Sequence, residues 1–145
     1  MGALEAHADV HIEGVADVEA QGLVARRVVD AVLAESPALA AVLVTGDLTD
    51  TSHPEAFAGL TAALARIDAP VLVLPGNHDT RPATRAAFPD AGWVDADHLS
   101  WVRQVGGVRI IGLDSTRPGY HGGEFDDERA DFLHAALTDA HPGPT

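Results

Sequence analysis

The chain has no cysteine, which excludes disulfides, zinc–thiolate sites and a cysteine nucleophile. Basic residues are scarce: 9 Lys and Arg stand against 22 Asp and Glu, a net charge of −13. That balance argues against a nucleic-acid partner and against an anionic membrane, since both need basic patches. Any phosphate-handling site in so acidic a chain would need bound cations to invert the local field. Long apolar runs are also missing, so no membrane span is expected, and the N-terminus lacks a signal-peptide core. With a composition that suits a reducing compartment, the expected location is cytoplasmic. What remains is 145 residues with 46% hydrophobic content, one domain's worth of chain with enough apolar material for a core.

Ala25, Val28, Val29, Val32 and Leu33 recur at helical spacing, which predicts a helix from about Val18 to Ala34, ended by Ser36-Pro37. Ala40 to Val44 is a continuous apolar run, as expected of a strand covered on both faces. Phe57, Leu60, Leu64 and Ile67 form a second helical stripe, Ala69-Pro70 breaks it, and Val71 to Leu74 predicts a second buried strand. This alternation points to an α/β fold with a parallel sheet. Arg81 to Phe88 suits one or two helical turns. Trp101 to Val105, Gly106-Gly107 and Val108 to Leu113 read as a β-hairpin. A loop from Pro118 to Glu124 precedes a helix from about Asp127 to Thr138, which would turn Phe132, Leu133, Ala136 and Leu137 to the core. The tail from His141 is loop chemistry.

Three polar motifs stand at strand positions: Asp9-Val10-His11, Thr45-Gly46-Asp47 and Gly76-Asn77-His78-Asp79. Ligand sites of α/β proteins gather outside the carboxyl ends of strands. Asp9 and His11 are two apart, so an extended backbone sends both to one face, where carboxylate and imidazole can share a cation. Glycine before Asp47 permits a sharp turn that brings the carboxylate to the rim. Asn77 offers a neutral amide oxygen, a normal weak ligand for a hard cation. His78 is placed to meet substrate, and Asp79 is expected to orient it by accepting its other ring proton. Taken alone, Asp9 and His11 would be ordinary surface residues, and Gly46-Asp47 an ordinary turn. Asp114 reads as a structural strand end, and Asp126, Asp127 and Glu128 as helix N-terminal charges. His53, His98, His134 and His141 read as solvated; His121 is the one further histidine expected near a site rim.

The series Asp-x-His, Gly-Asp and Gly-Asn-His-Asp, in this order and spacing, resembles the calcineurin-like metallophosphoesterases. More narrowly, Gly46-Asp47-Leu48-Thr49-Asp50, Pro75 to Arg81, and Leu113-Asp114-Ser115 followed by Gly122-Gly123-Glu124 resemble bacterial class III cyclic nucleotide phosphodiesterases. The resemblance implies a partial four-layer α-β-β-α sandwich with a centre of two divalent metal ions of Fe, Mn or Zn type. Asp9, His11 and Asp47 would hold the first metal; Asp47 would bridge to the second, where Asn77 is a ligand. The implied reaction is hydrolysis of a small phosphodiester, a 3′,5′-cyclic nucleotide, by a metal-activated hydroxide. His78 would be the catalytic residue, stabilising transition-state charge or protonating the leaving alkoxide. His11, Asp47, Asn77 and His78 would together contact substrate, with Arg81 as an outer phosphate contact.

The family completes its metals with three further histidines, two in a Gly-His-x-His motif that this sequence does not contain. The expectation is therefore one domain over residues 1–145, incomplete at its C-terminal end. A full-length form could pair as a homodimer; a dimer of the 145-residue chain would not supply the missing histidines, since each copy lacks the same segment. Two alternatives stand beside the cyclic-nucleotide reading: hydrolysis of a glycerophosphodiester or another phosphoester, and a catalytically dead fragment or metal-binding remnant.

Overall fold

Asp17 opens the first helix, α1 (Val18–Glu35), by accepting a hydrogen bond from the Glu19 amide at 2.9 Å. The computed structural model describes residues 17–35 and 39–145, so Asp9, His11 and the Ser36-Pro37 stop lie outside the described residues. Strand β1 (Val42–Val44) follows, then α2 (Pro54–Leu64), which starts at a proline after His53 accepts from the Glu55 amide. Strand β2 (Val71–Val73) leads to α3 (Arg81–Ala87). The hairpin comprises β3 (Trp101–Val105) and β4 (Val108–Gly112), and α4 (Asp127–Thr138) is the last helix. The mixed α/β class and every helix and strand anticipated from Val18 onward are present among the described residues; the strand position of the Asp9-Val10-His11 motif lies outside them.

β1 and β2 pair in parallel, Val42 against Val71 and Val44 against Val73. β3 and β4 pair antiparallel, Trp101 against Gly112 and Val105 against Val108. Gly106 and Gly107 sit at φ 55° and 88°, the left-handed pair that a two-residue hairpin turn requires. The Trp101 indole N–H donates to the Val73 carbonyl at 2.7 Å and so ties the hairpin to β2. One apolar core joins the first half: Ala25 and Val29 of α1 meet Phe57, Leu60 and Leu64 of α2, with Val73 and Ile67 beneath. Each large side chain buried there contributes about 1.5–3 kcal/mol.

Three expectations about burial are corrected. β1 is not covered on both faces: Val42 and Val44 pack on the core, whereas Leu43, on the alternate face, stays 45% exposed. In α4, Ala136 is buried but Leu137 is exposed, because the helix docks largely through Arg129 and through Phe132 against His98. His98 is not solvated; it is 1% exposed, with Nδ1 2.7 Å from the Ser100 hydroxyl. The tail is a loop, yet it lies along β4, where the Arg109 amide donates to the Pro144 carbonyl at 2.9 Å. No helix among the described residues is long and apolar enough to cross a membrane.

Candidate active site

The loops that follow β1 and β2 are pressed together at two glycines. A Cβ on Gly46 would come within 3.1 Å of the Gly76 Cα, and one on Gly76 would fall 2.0 Å from an Asp47 carboxylate oxygen and 2.1 Å from the Asp47 amide nitrogen. Only glycine fits at Gly76. Gly46 itself takes φ 130° and Asp47 φ 46°, so the chain turns back on itself as the carboxylate emerges. Asp47 then accepts from the His78 amide at 3.3 Å. Asp47, Asn77, Thr45 and His121 are among the residues lining a cavity of about 540 Å³ whose remaining wall is largely apolar, from Val42–Val44 and from side chains of α1 and α2.

Asp79 welds these loops. One carboxylate oxygen accepts from the Leu48 and Gly76 amides at 2.8 and 2.9 Å; the other accepts from the Thr49 amide at 2.9 Å and the Thr49 hydroxyl at 3.3 Å. Burial pushes the Asp79 pKa upward, and the four donors pull the other way. Ser52, at φ 54°, adds a second clasp: its hydroxyl donates to the His78 carbonyl at 3.2 Å and accepts from the Thr80 amide at 2.6 Å.

Because Asp79 is committed to backbone donors, it does not orient the His78 ring as the sequence suggested. Asp50 takes that position. Its carbonyl oxygen and one carboxylate oxygen each lie 3.2 Å from His78 Nδ1. Both are acceptors, so the neutral ring carries its proton on Nδ1 and leaves Nε2 as the nitrogen without it. The bond to the Asp50 backbone raises the His78 pKa, burial opposes that, and the charges of Asp47, Asp50 and Asp79 raise it further. The Asp50 amide is in turn held by the Gln21 side chain of α1 at 3.2 Å. Asp50 is the site residue that sequence reasoning missed; its signal was a second carboxylate three residues past Asp47.

Arg81 also departs from expectation. Its Nε donates to Asp114 at 2.8 Å and its Nη2 to the Thr116 carbonyl at 2.6 Å, so it is an internal strut, not an outer phosphate contact. Asp114 is structural, as its place at a strand end suggested. Burial alone would raise its pKa, but donors from Leu99 and Thr116 and the charge of Arg81 hold it below the usual aspartate value. Asp126 caps α4 by accepting from the Arg129 amide at 3.0 Å. His121 stands where the rim was expected: its Nδ1 lies 3.3 Å from Asn77 Nδ2 across the cavity edge.

The Asp47 carboxylate and the Asn77 amide are hard oxygen donors on loops held in contact, a chemistry that suits a divalent cation. Among the described residues, no cluster of three or more His, Asp or Glu side chains is placed to hold a metal ion. Asp47 and Asn77 thus fit as part of a ligand set, and the expected partners Asp9 and His11 lie outside the described residues.

Residues 8–141 match the calcineurin-like phosphoesterase family. A probable cyclic nucleotide phosphodiesterase of Rhodococcus erythropolis is 40% identical over 124 residues, covering 82% of this chain and 40% of that protein. A probable glycerophosphodiester phosphodiesterase of Arcobacter nitrofigilis is 35% identical over 97 residues, 66% of this chain and 36% of that protein. The 3′,5′-cyclic adenosine monophosphate phosphodiesterase of Escherichia coli is 33% identical over 99 residues, 68% of this chain and 35% of that protein. The chain therefore spans well under half the length of the curated relatives it matches. Members of the matched family use divalent metal ions. By the extent of the family match and by the strand-end loops that carry it, this chain belongs to the calcineurin-like phosphoesterases.

Proposed function

We propose that this chain carries the first part of a cytoplasmic, metal-dependent phosphodiester hydrolase acting on 3′,5′-cyclic nucleotides. The observation that carries this reading is the junction of two strand-end loops, locked by Asp79, that sets Asp47 and Asn77 at one cavity with His78 beside them. Asp47 and Asn77, with Asp9 and His11, would hold two divalent ions of Mn, Fe or Zn type. When bound, such ions neutralise phosphoryl charge and lower the pKa of water.

The protein's own part is to position and to move a proton. Asp50 fixes the His78 ring with its proton at Nδ1. Protonated at Nε2 as well, His78 can give that proton to a leaving alkoxide or donate a hydrogen bond to a phosphoryl oxygen. The bond from Nδ1 to the Asp50 backbone favours this acid form.

A glycerophosphodiester is the second reading, favoured by the similarity to a protein named for that activity. A third reading is a portion that binds metal without turnover, for which Asp47 and Asn77 are the donors among the described residues. Hydrolysis of bis(p-nitrophenyl) phosphate with and without Mn²⁺, alongside His78→Ala, tests catalysis. Calorimetric titration with Mn²⁺ tests the ligand set independently: Asp47→Asn should weaken binding at least about tenfold, the scale of losses at metal sites. Asp90→Asn, at an exposed turn, should leave it unchanged. Equal affinities in the two variants would remove the metal reading.

A further inference from the structure

The loop between β4 and α4 is built as a rigid finger beside the cavity. Thr116 and Gly123 form a bridge across its base, and the Glu124 amide donates to the Ser115 carbonyl at 2.8 Å. At its tip the Tyr120 amide donates to the Arg117 carbonyl at 3.0 Å, with Pro118 and Gly119 between them and Gly119 at φ 79°. That is a type II turn, in which proline presets the first corner and glycine supplies the second. Struts hold the base: the Thr116 carbonyl accepts from Arg81 at 2.6 Å and from Arg129 at 3.1 Å.

The turn puts its first and fourth side chains together. The Arg117 guanidinium lies 3.9 Å from the centroid of the Tyr120 ring, while Tyr120 as a residue is 57% exposed. A cation on one face orders the ring and leaves the other face free for a second planar group. The next residue, His121, reaches Asn77, and Thr116, His121, Gly122 and Gly123 line the cavity. Tyr120 directly precedes the cavity-lining His121, so its Cα lies about 3.8 Å from that of a wall residue.

We infer that Tyr120, ordered by Arg117, is a specificity-determining residue that stacks the aromatic base of a nucleotide whose phosphate sits at Asp47 and Asn77. The inference rests on the phosphodiesterase reading and selects a nucleotide over a glycerol ester, since glycerol has no π-face to stack. Base–aromatic stacking tolerates different bases, so the finger would favour nucleotides as a class.

Tyr120 is the chain's single tyrosine, so a ring-labelled tyrosine gives one NMR reporter. The 145-residue chain would be titrated in Mg²⁺ with adenosine, 5′-AMP and glycerol 3-phosphate. Adenosine at millimolar concentration should move the Tyr120 ring signals without help from any phosphate site, and 5′-AMP should do so at lower concentration. Tyr120→Ala should weaken 5′-AMP binding by about tenfold, the scale of one base–aromatic contact, and Tyr120→Phe should restore it. Glycerol 3-phosphate affinity should be the same in all three proteins. A ring unmoved by adenosine and 5′-AMP, or equal losses for 5′-AMP and glycerol 3-phosphate in Tyr120→Ala, would overturn the inference. Failure of glycerol 3-phosphate to bind, with 5′-AMP no tighter than adenosine and the ring responding to both, would count against the phosphate site and leave the stacking platform standing.

Discussion

Removing the Asp79 carboxylate should cost this protein more than any other single polar substitution at the two loops. In Asp79→Ala, the Leu48, Thr49 and Gly76 amides and the Thr49 hydroxyl all lose their acceptor. Leu48 and Thr49 are almost fully buried, so water cannot readily replace it. Each buried donor left without a partner costs about 1–3 kcal/mol. Three amides at the low end give about 3 kcal/mol, a large fraction of the 5–15 kcal/mol typical of a whole domain. Asp79→Asn keeps one accepting oxygen and turns an NH₂ toward the other donors, so about half that loss is expected. Urea unfolding followed by tryptophan fluorescence measures the total, because Trp101 bonds to the strand that leads into the second loop. Amide hydrogen exchange at Leu48, Thr49 and Gly76 localises it. An Asp79→Ala protein within about 0.5 kcal/mol of the parent, or with those three amides still protected, would refute the clamp.

The buried Asp114 predicts an acid-labile fold. Its folded pKa lies below the unfolded value, so the ionised group stabilises the protein above the ordinary aspartate pKa of 3.8, and the gain is lost as pH falls through the folded value. Urea midpoints should drop below about pH 4 in the parent and drop less in Asp114→Asn; parallel curves would exclude Asp114 as a source. Gly76→Ala should lower stability by at least about 2 kcal/mol, as overpacking does, because its methyl would meet the Asp47 backbone nitrogen. Gly106→Ala, at φ 55° with open space around it, should cost only about 1 kcal/mol, and equal losses in the two would remove the close-approach argument.

Periodic signals were the most legible. The α1 and α2 stripes, the diglycine turn of the hairpin and the acidic start of α4 all lie within a few residues of their predicted places, because each is decided by neighbours in sequence. Misjudgements arose where distant chain decides. Whether Asp50 or Asp79 would meet His78 depends on the left-handed turns at Asp47 and Ser52, which bring residue 50 back over the histidine. Arg81 looked like a phosphate contact because its partner Asp114 lies 33 positions away. His98 looked solvated because the helix that covers it, with Phe132, begins almost thirty residues later. Leu43 looked buried because an apolar run does not say whether both faces of a strand find a partner.

The positive φ at Asp47 sets the rules for changing that position. A residue there must tolerate the left-handed region and, for the proposed chemistry, must also present a carboxylate. Aspartate and asparagine visit this conformation far more readily than glutamate or alanine, and glycine visits it freely. An alanine scan at residue 47 would therefore confuse two losses, charge and backbone shape. Asparagine removes the charge and keeps the turn; glycine keeps the turn and removes the side chain. Those two substitutions, compared with each other, separate what the carboxylate does from what the bend does.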